Sequence, residues 1–338
     1  MKVFRNYSLQ QYNTFGLDIE AKQFVSIENE DDLIQALQQV YASEILILGG
    51  GSNMLLTENL EKTVLHVNLK GKKIIRETEN EVFVEVCAGE NWHEFVLWCI
   101  QHNYGGIENL ALIPGNVGTS PIQNIGAYGV ELKDTFVECE AIHIQSLEHR
   151  VFTKAECEFG YRNSIFKNKV KGQYIITKVT FALTKNKHKL KTSYGAILSK
   201  LDEKNIANPT IKDVAEAVIS IRQEKLPNPA ELGNSGSFFK NPIISKDLFS
   251  AIQEKFPEIP SYKIDEDSIK IPAGWLIEET GYKGFRKGDA GVHKKQALVL
   301  VNYGNATGEE ILALAEEIQH AVKEKFGISL ETEVNIIS

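Results

Sequence analysis

The sequence predicts an α+β fold with a mixed sheet, organised in two parts. Residues 24–48 read as strand, helix, strand, but from Thr63 the pattern turns to successive short β runs. A doubly wound parallel sheet would keep strand and helix alternating, so this change argues for α+β. Two glycine-rich loops interrupt the first half without opening a periodic helix. The last third is regular again, with a long capped helix before a final strand. At 338 residues the chain exceeds one ordinary hydrophobic core, which predicts two or three domains.

In chain order, Asn29 reads as a helix N-cap, with Glu30, Asp31 and Asp32 in a first turn where acids suit the helix dipole. Leu33, Leu37 and Val40, with Ile34 and Tyr41, make an apolar stripe at helical spacing. The runs TVLHVNL, KKIIRE and VFVEVCA read as strands, the last ending at Gly89. Residues 91–102 read as a helix with Trp92, Phe95, Trp98 and Cys99 on one side, as core. Further strands fall at 136–144 and 173–183, separated by a turn around Tyr161 and Arg162. Residues 185–193 form a strongly basic surface excursion ending at Tyr194 and Gly195. A polar stretch at 202–209 marks a boundary, giving regions 1–208, subdivided near 70, and 209–338.

Beyond that boundary, residues 211–226 are amphipathic, with Val214, Val218 and Ile221 inward and Pro227 and Pro229 ending the helix. Arg222 and Lys225 fall in its last turn, where cations suit the dipole. Pro272 and Gly281 bracket a short helix carrying Trp275, and residues 297–302 read as a buried strand. Thr307 and Glu310 form a capping box for a helix to Phe326, with Gly327 as its stop. The final strand spans 329–337, with Glu331 and Glu333 on one face because side chains alternate along a strand.

A net charge of −8 and a pI near 5.6 argue against a nucleic-acid or anionic-membrane partner, which would want a basic face. Any anionic ligand must be met by a local cationic cluster. The four cysteines, Cys87, Cys99, Cys139 and Cys157, show no CxxC spacing and read as free thiols in a reducing compartment. No metal site is expected, since the histidines form no HExxH pattern and no Cys/His pairing has ligand spacing. The start, MKVFRNYSLQ, has no apolar signal-peptide core, and no apolar run approaches membrane-spanning length, so a cytoplasmic location is expected.

Chemistry concentrates in the two loops. Residues 107–130, IENLALIPGNVGTSPIQNIGAYGV, carry Gly115, Gly118, Gly126 and Gly129 with Pro114 and Pro121, and Glu108 is the only charge. Such punctuation forbids a regular helix or central strand and leaves backbone N–H groups free to hold an anion through fixed dipoles. Glycine and proline alone would equally give an array of tight turns with no ligand. The second loop, Gly49-Gly50-Gly51-Ser52-Asn53, follows a short apolar strand. Its consecutive glycines are not the GxGxxG of a Rossmann site, and neither loop has the lysine of a P-loop. The later segment LGNSGSFFKNP is not GxSxG, because Ser237 stands where the second glycine should be, so a serine hydrolase is poorly supported. Two loops of this kind suggest a different dinucleotide site.

In combination, several segments resemble the UDP-N-acetylenolpyruvoylglucosamine reductase family of flavoenzymes. They are NTFGLDIEAK, ILGGGSNML, IPGNVGTSPIQNIGAYGVE, FGYRNSIFK, RQEKLPNP, GNSGSFFKNP, GDAGVHKKQALVLVN and LETEVNII, in the family's order from residue 13 almost to the end. Tyr194 within an extended excursion resembles the longer of the family's two variants, in which a tyrosine loop folds over the substrate. The resemblance implies an FAD-binding region of the vanillyl-alcohol-oxidase (PCMH-type) superfamily, followed by a smaller α+β substrate domain. It implies NADPH-dependent reduction of UDP-N-acetylglucosamine enolpyruvate to UDP-N-acetylmuramate in peptidoglycan precursor synthesis, with hydride from N5 of non-covalent FAD to the vinyl carbon.

The family's residues carry over motif by motif. Gly49, Gly50, Gly51, Ser52 and Asn53 would hold FAD together with Pro114, Gly115, Gly118, Thr119 and Pro121. Gln123, Asn124, Gly126, Ala127 and Tyr128 complete the implied cofactor set. Arg162 and Glu333 would stabilise the enolate, and Ser237 would be the proton donor. A glutamate beside an anion must carry or share a proton, and a serine hydroxyl needs help as an acid, for which Lys225 is the candidate. Tyr194, Lys225, Asn241, Tyr262 and Gln296 match substrate-binding positions, with Arg222 adding charge for the diphosphate. The family commonly has arginine two residues after the catalytic glutamate, and here that position is Asn335. A monomer is expected. Two other readings are a flavin oxidase of the same superfamily and a non-catalytic nucleotide-sugar binding protein.

Overall fold

The computed structural model describes residues 1–338. Its chain divides into two compact units, the first comprising Met1–Tyr7, Ala21–Gly50 and Glu61–Gln223, the second Ser8–Glu20, Gly51–Leu60 and Glu224–Ser338. No helix is long and apolar enough to cross a membrane. Helices and mixed sheets make it α+β, as the run-wise order of elements predicts.

In the first unit, a four-stranded sheet runs in the order Val3–Ser8, Glu20–Ile27, Leu60–Val67, Ile45–Leu48. Ile45–Leu48 lies parallel to Leu60–Val67, with Leu46 opposite Val64. The helix Glu30–Gln39 begins where predicted, the Asn29 side chain accepting from the Asp32 N–H at 2.8 Å, a cap worth about 1 kcal/mol. It buries Leu33, Ala36 and Leu37. Tyr41 does not join that stripe: the helix stops at Gln39, Val40 is extended at φ −127°, and Tyr41 is 79% exposed.

A five-stranded antiparallel sheet follows in the order His149–Thr153, Phe136–His143, Tyr174–Thr184, Glu81–Cys87, Lys72–Glu77. Along Glu81–Cys87, buried Val82, Val84 and Val86 alternate with residues that are only partly covered, the period of a half-buried strand. The helix Trp92–Gln101 covers it with Trp92, Phe95, Val96 and Cys99, and Phe95 meets Phe181 at 5.1 Å between ring centroids. The helix Ile211–Lys225 buries Val214 and places Val218 and Ile221 in the same core. Lys178, paired with Glu140 at 2.7 Å and Glu30 at 3.4 Å, ties this sheet to the helix Glu30–Gln39. The edge strand His149–Thr153 and the helix Gly195–Glu203 were not foreseen from the sequence; both are short and sit beside charged stretches that mask their periodicity.

In the second unit, a four-stranded antiparallel sheet has the order Gly233–Ser237, Val299–Asn302, Ala290–Val292, Arg286–Lys287. Val299–Asn302 is fully buried. The helix Gly308–Phe326 has the predicted capping box: Thr307 Oγ1 accepts from Glu310 N at 3.1 Å and Glu310 Oε2 from Thr307 N at 2.8 Å. It ends at Gly327 with φ +71°. Its first residue must be glycine, because a Cβ there would collide with Leu56 O and Thr57 Cα. Ala273–Glu279, bracketed by Pro272 and Gly281 as expected, brings Trp275 to 5.7 Å from Phe326.

The final strand is shorter than the predicted 329–337. Only Asn335–Ile337 pairs in a sheet, parallel to Met54–Leu56. Residues 331–333 pair with 238–240 instead, through a bridge between Thr332 and Phe239. One chain segment thus serves two partners in succession, which a single alternating pattern does not reveal.

Candidate functional site

The two glycine loops come together in the first unit, backbone against backbone. A Cβ on Gly49 would lie 2.5 Å from Thr119 Cγ2, and one on Gly50 would lie 2.8 Å from Gly115 Cα. A Cβ on Gly118 would strike Ala88, whose carbonyl accepts the Gly118 N–H at 2.9 Å. Gly115, at φ +111°, accepts from the Trp92 N–H at 3.0 Å, which fixes the loop after Pro114 to the helix Trp92–Gln101. Glu108, the only charge of the stretch, is buried and accepts from the Gly106 N–H at 2.6 Å.

Beside them lies a cavity of about 190 Å³. Gly49, Gly118 and Thr119 of the two loops line it together with apolar Ile47, Val67, Phe166 and Ile176. That combination suits a flat heteroaromatic ring joined to an anionic linker. Buried Pro121 and half-exposed Gln123 continue the loop, and Gly126 and Ala127 form a two-residue hairpin with Val130 and Glu131. Asn124 is spent on structure: its Nδ2 donates to Gly160 O at 3.0 Å and its Oδ1 accepts from Lys133 N at 3.1 Å. Gly51, Ser52 and Asn53 belong with the second unit, where a Cβ on Gly51 would strike Tyr12 O.

The first unit also gathers cations. Arg162 sits in a tight turn closed by reciprocal bonds between Gly160 and Asn163, in the left-handed region at φ +52°. Such strain costs about 1 kcal/mol or more and is kept where the surroundings fix it. Its Nη1 lies 3.4 Å from where a Gly126 Cβ would be, so the guanidinium passes over the hairpin backbone. Arg222, at the end of the helix Ile211–Lys225, has its Nε enclosed with no hydrogen-bond partner. Burial lowers its pKa, a bond to the Tyr128 hydroxyl opposes that, and the nearby Arg162 charge lowers it further. Burial likewise raises the Tyr128 pKa, offset by Arg222. Two guanidinium groups crowded in a partly dehydrated setting are poised for an anion.

Tyr194 is half exposed and meets the Tyr128 ring edge-on at 5.4 Å. The basic excursion leading to it is tied down by a residue that the sequence reading missed. Fully buried Asn109 donates from Nδ2 to Lys191 O at 2.8 Å and to Tyr128 O at 3.1 Å. His93 was missed as well; its Nδ1 accepts the N–H of Leu112 at 3.0 Å. Neither has a sequence signal, because an isolated polar residue in a loop or helix reads as solvated.

In the second unit, Ser237 ends the strand Gly233–Ser237 just after a bulge, where Asn234 pairs Val301 but Ser237 pairs Val299. Gly236 makes the bulge with φ +69°, and a bulge re-aims the side chain that follows it. Glu333 N donates to Phe238 O at 2.8 Å, so Glu333 runs beside the residue next to Ser237. Asn53 Nδ2 donates to Glu333 O at 3.2 Å. Glu331 is exposed and paired with Lys240 at 2.8 Å, which separates the two glutamates. Asn241 Oδ1 accepts from the Ala273 N–H at 2.9 Å, and Gln296 Oε1 from the Leu298 N–H at 3.4 Å. Tyr262 and Lys225 are exposed. Among the sequence-derived residues, then, Arg162, Arg222, Tyr128 and Tyr194 cluster in one unit, and Ser237 and Glu333 in the other.

Comparison with known proteins gives consistent matches. Residues 228–337 match the family model for the UDP-N-acetylenolpyruvoylglucosamine reductase C-terminal domain, and residues 21–145 match an FAD binding domain. The UDP-N-acetylenolpyruvoylglucosamine reductase of Flavobacterium johnsoniae is 59% identical over 337 residues, covering 100% of both chains. That of Pseudomonas putida is 46% identical over 331 residues, covering 97% of each. Among solved structures, the UDP-N-acetylenolpyruvylglucosamine reductase of Thermus caldophilus superposes with a TM-score of 0.69 at 25% identity, covering 100% of both chains.

Proposed function

Because the chain belongs to the UDP-N-acetylenolpyruvoylglucosamine reductase family, we infer that it reduces UDP-N-acetylglucosamine enolpyruvate to UDP-N-acetylmuramate in peptidoglycan precursor synthesis, with NADPH as co-substrate. The observation that carries this reading is the 2.8 Å bond from Glu333 N to Phe238 O. It sets Glu333 beside Phe238, the residue that follows Ser237, so the two residues implied for proton handling lie on neighbouring backbone of the substrate domain.

The glycine loops and the ring-sized cavity fit FAD: Gly49 and Gly118, where the backbone packs too closely for a side chain, both line the cavity. FAD, when bound, supplies the hydride for the vinyl carbon. Backbone N–H groups of the loops hold its diphosphate without a fixed cation, and neither loop offers a His or Cys for covalent attachment. Arg162 meets the negative charge that grows on the substrate carboxylate, which is worth most in a dehydrated site. Arg222 and Lys225 hold the diphosphate of the nucleotide sugar, Tyr194 covers it, and Asn241, Tyr262 and Gln296 orient the rest. Glu333 shares a proton with the carboxylate, and Ser237 delivers one to the adjacent carbon. The protein works as a cytoplasmic monomer on this small-molecule substrate, with no nucleic-acid or membrane partner.

Anaerobic stopped-flow absorbance tests this. NADPH should bleach the flavin, and UDP-N-acetylglucosamine enolpyruvate should then restore the oxidised spectrum. Bleaching without recovery would point to a flavoprotein with another oxidant. Colourless protein that takes up no FAD would overturn the reading altogether.

A further inference from the structure

Glu333 is gripped by its peptide groups from both sides. On one side its N–H donates to Phe238 O at 2.8 Å; on the other its carbonyl accepts from Asn53 Nδ2 at 3.2 Å. Asn53 is itself held by a second amide: its carbonyl accepts from Asn335 Nδ2 at 2.8 Å and from the Asn335 N–H at 3.2 Å. The main-chain bond belongs to the parallel pairing of Asn335–Ile337 with Met54–Leu56 and would persist with any residue at 335. The shorter side-chain bond is an addition that the pairing does not require. Asn335 is exposed and takes no part in the core. An exposed amide spent on a carbonyl at the mouth of a strand pair does little for packing, yet here it holds the peptide group of the residue whose side chain donates to the Glu333 carbonyl.

We propose that Asn335 is a positioning residue for Glu333, acting through Asn53. This rests on the role given to Glu333 above. Asn335 Nδ2 and the Asn335 N–H fix the Asn53 peptide; the Asn53 amide then fixes the Glu333 carbonyl. The Glu333 side chain leaves a backbone held at both ends, as a group that must meet a developing charge within a fraction of an ångström requires.

The test uses the flavin-loaded full chain with Asn335→Asp, which keeps the shape but sets an oxygen against the Asn53 carbonyl, and Asn335→Ala, which only deletes the donor. Flavin reduction by NADPH, which does not need Glu333, should stay within about twofold. Reoxidation by UDP-N-acetylglucosamine enolpyruvate at saturation should slow by about tenfold or more, with the substrate's Kd, read by flavin absorbance, little changed. In a Glu333→Gln background the same substitutions should have no further effect, because the residue they act through is gone. Equal loss in both half-reactions, or the same slowing in the Glu333→Gln background, would overturn the proposal. So would unaltered reoxidation in both variants. If the unsubstituted protein itself fails to be reoxidised, the functional reading falls, and this inference with it.

Discussion

A methyl group at Gly49 tests the proposal that the two glycine loops hold FAD. The Cβ of Gly49→Ala would lie 2.5 Å from Thr119 Cγ2, while its next neighbour, Thr119 Cβ, is at an ordinary 3.8 Å. Only one atom is in the way. Thr119 can escape by rotating, but its Oγ1 now donates to Asn116 O at 2.8 Å, and rotation sacrifices that bond. A hydrogen bond of this kind contributes about 1 kcal/mol net. Pushing the backbones apart by roughly 1 Å would cost about 1–3 kcal/mol. Rotation is therefore the cheaper route, and the expected loss is about 1 kcal/mol, or roughly fivefold in FAD affinity if the strain is felt in the bound form.

Gly50→Ala has no such exit, because its Cβ meets Gly115 Cα at 2.8 Å and Gly115 C at 3.1 Å. It should take the larger penalty, roughly 10-fold to 100-fold in affinity. Thr119→Ser removes Cγ2 and keeps the hydroxyl, so it should rescue Gly49→Ala and leave Gly50→Ala unchanged. FAD titration by fluorescence quenching, with melting curves of the flavin-free protein alongside, reads both effects. Gly49→Ala binding FAD as the unsubstituted protein does, or Thr119→Ser failing to rescue it, would refute the close approach of the loops.

Three further outcomes are expected. Arg222→Met should raise KM for the UDP-sugar substrate by about tenfold or more while leaving the melting temperature unchanged or higher, since an enclosed charge beside Arg162 is removed; a marked fall in melting temperature would mean that Arg222 is chiefly structural. Ser237→Ala should keep flavin reduction by NADPH and slow reoxidation by substrate by about 100-fold or more, whereas equal loss of both would make Ser237 structural. His93 is held below its ordinary pKa of 6.5 by burial, opposed by Glu94 and reinforced by Arg222. Between its folded value and 6.5 the unfolded chain takes up a proton that the folded chain does not, so stability is full above about pH 6.5 and is lost as pH falls through that window. His93→Asn offers Leu112 an acceptor that cannot titrate, so its melting temperature should fall less from pH 7 to acid than that of the unsubstituted protein; identical slopes would exclude His93 as a contributor.

What the sequence revealed was whatever a local rule demands. Asn29, Thr307 with Glu310, and Gly327 were legible as helix ends because caps act over three or four residues. The glycine loops were legible as loops, and the collisions at Gly50 and Gly118 explain why glycine is required at those points. The non-local holds stayed hidden. Asn53 and Glu333 meet across 280 residues, and their bond depends on the pairing of two three-residue strands that have little pattern of their own. Alternation put Glu331 and Glu333 on one face but could not show that Lys240 pairs with Glu331. Nor could local pattern reveal that residues 8–20 and 51–60 group with the C-terminal third, because membership in a unit is decided by tertiary pairing.

The same hidden holds account for how irregular backbone presents the groups proposed to act on the ligands. Leu112, Asn124, Tyr128 and Arg162 all have positive φ without being glycine, between +45° and +59°. Each is strained, and apart from the two-residue pairing that flanks Tyr128, no sheet ladder restrains the turns that contain them. Restraint comes from buried side chains instead: His93 holds the Leu112 N–H, Asn109 the Tyr128 carbonyl, and Asn124 ties its own loop to the Gly160 carbonyl beside Arg162. A ladder would have set the direction of every side chain at once by its period of two. Single amides and one imidazole allow each group its own angle, so Tyr128 can reach Arg222 while Arg162 crosses the hairpin. Loss of one such hold frees one group and leaves the cores packed, so damage at these positions should appear in substrate binding before it appears in melting temperature.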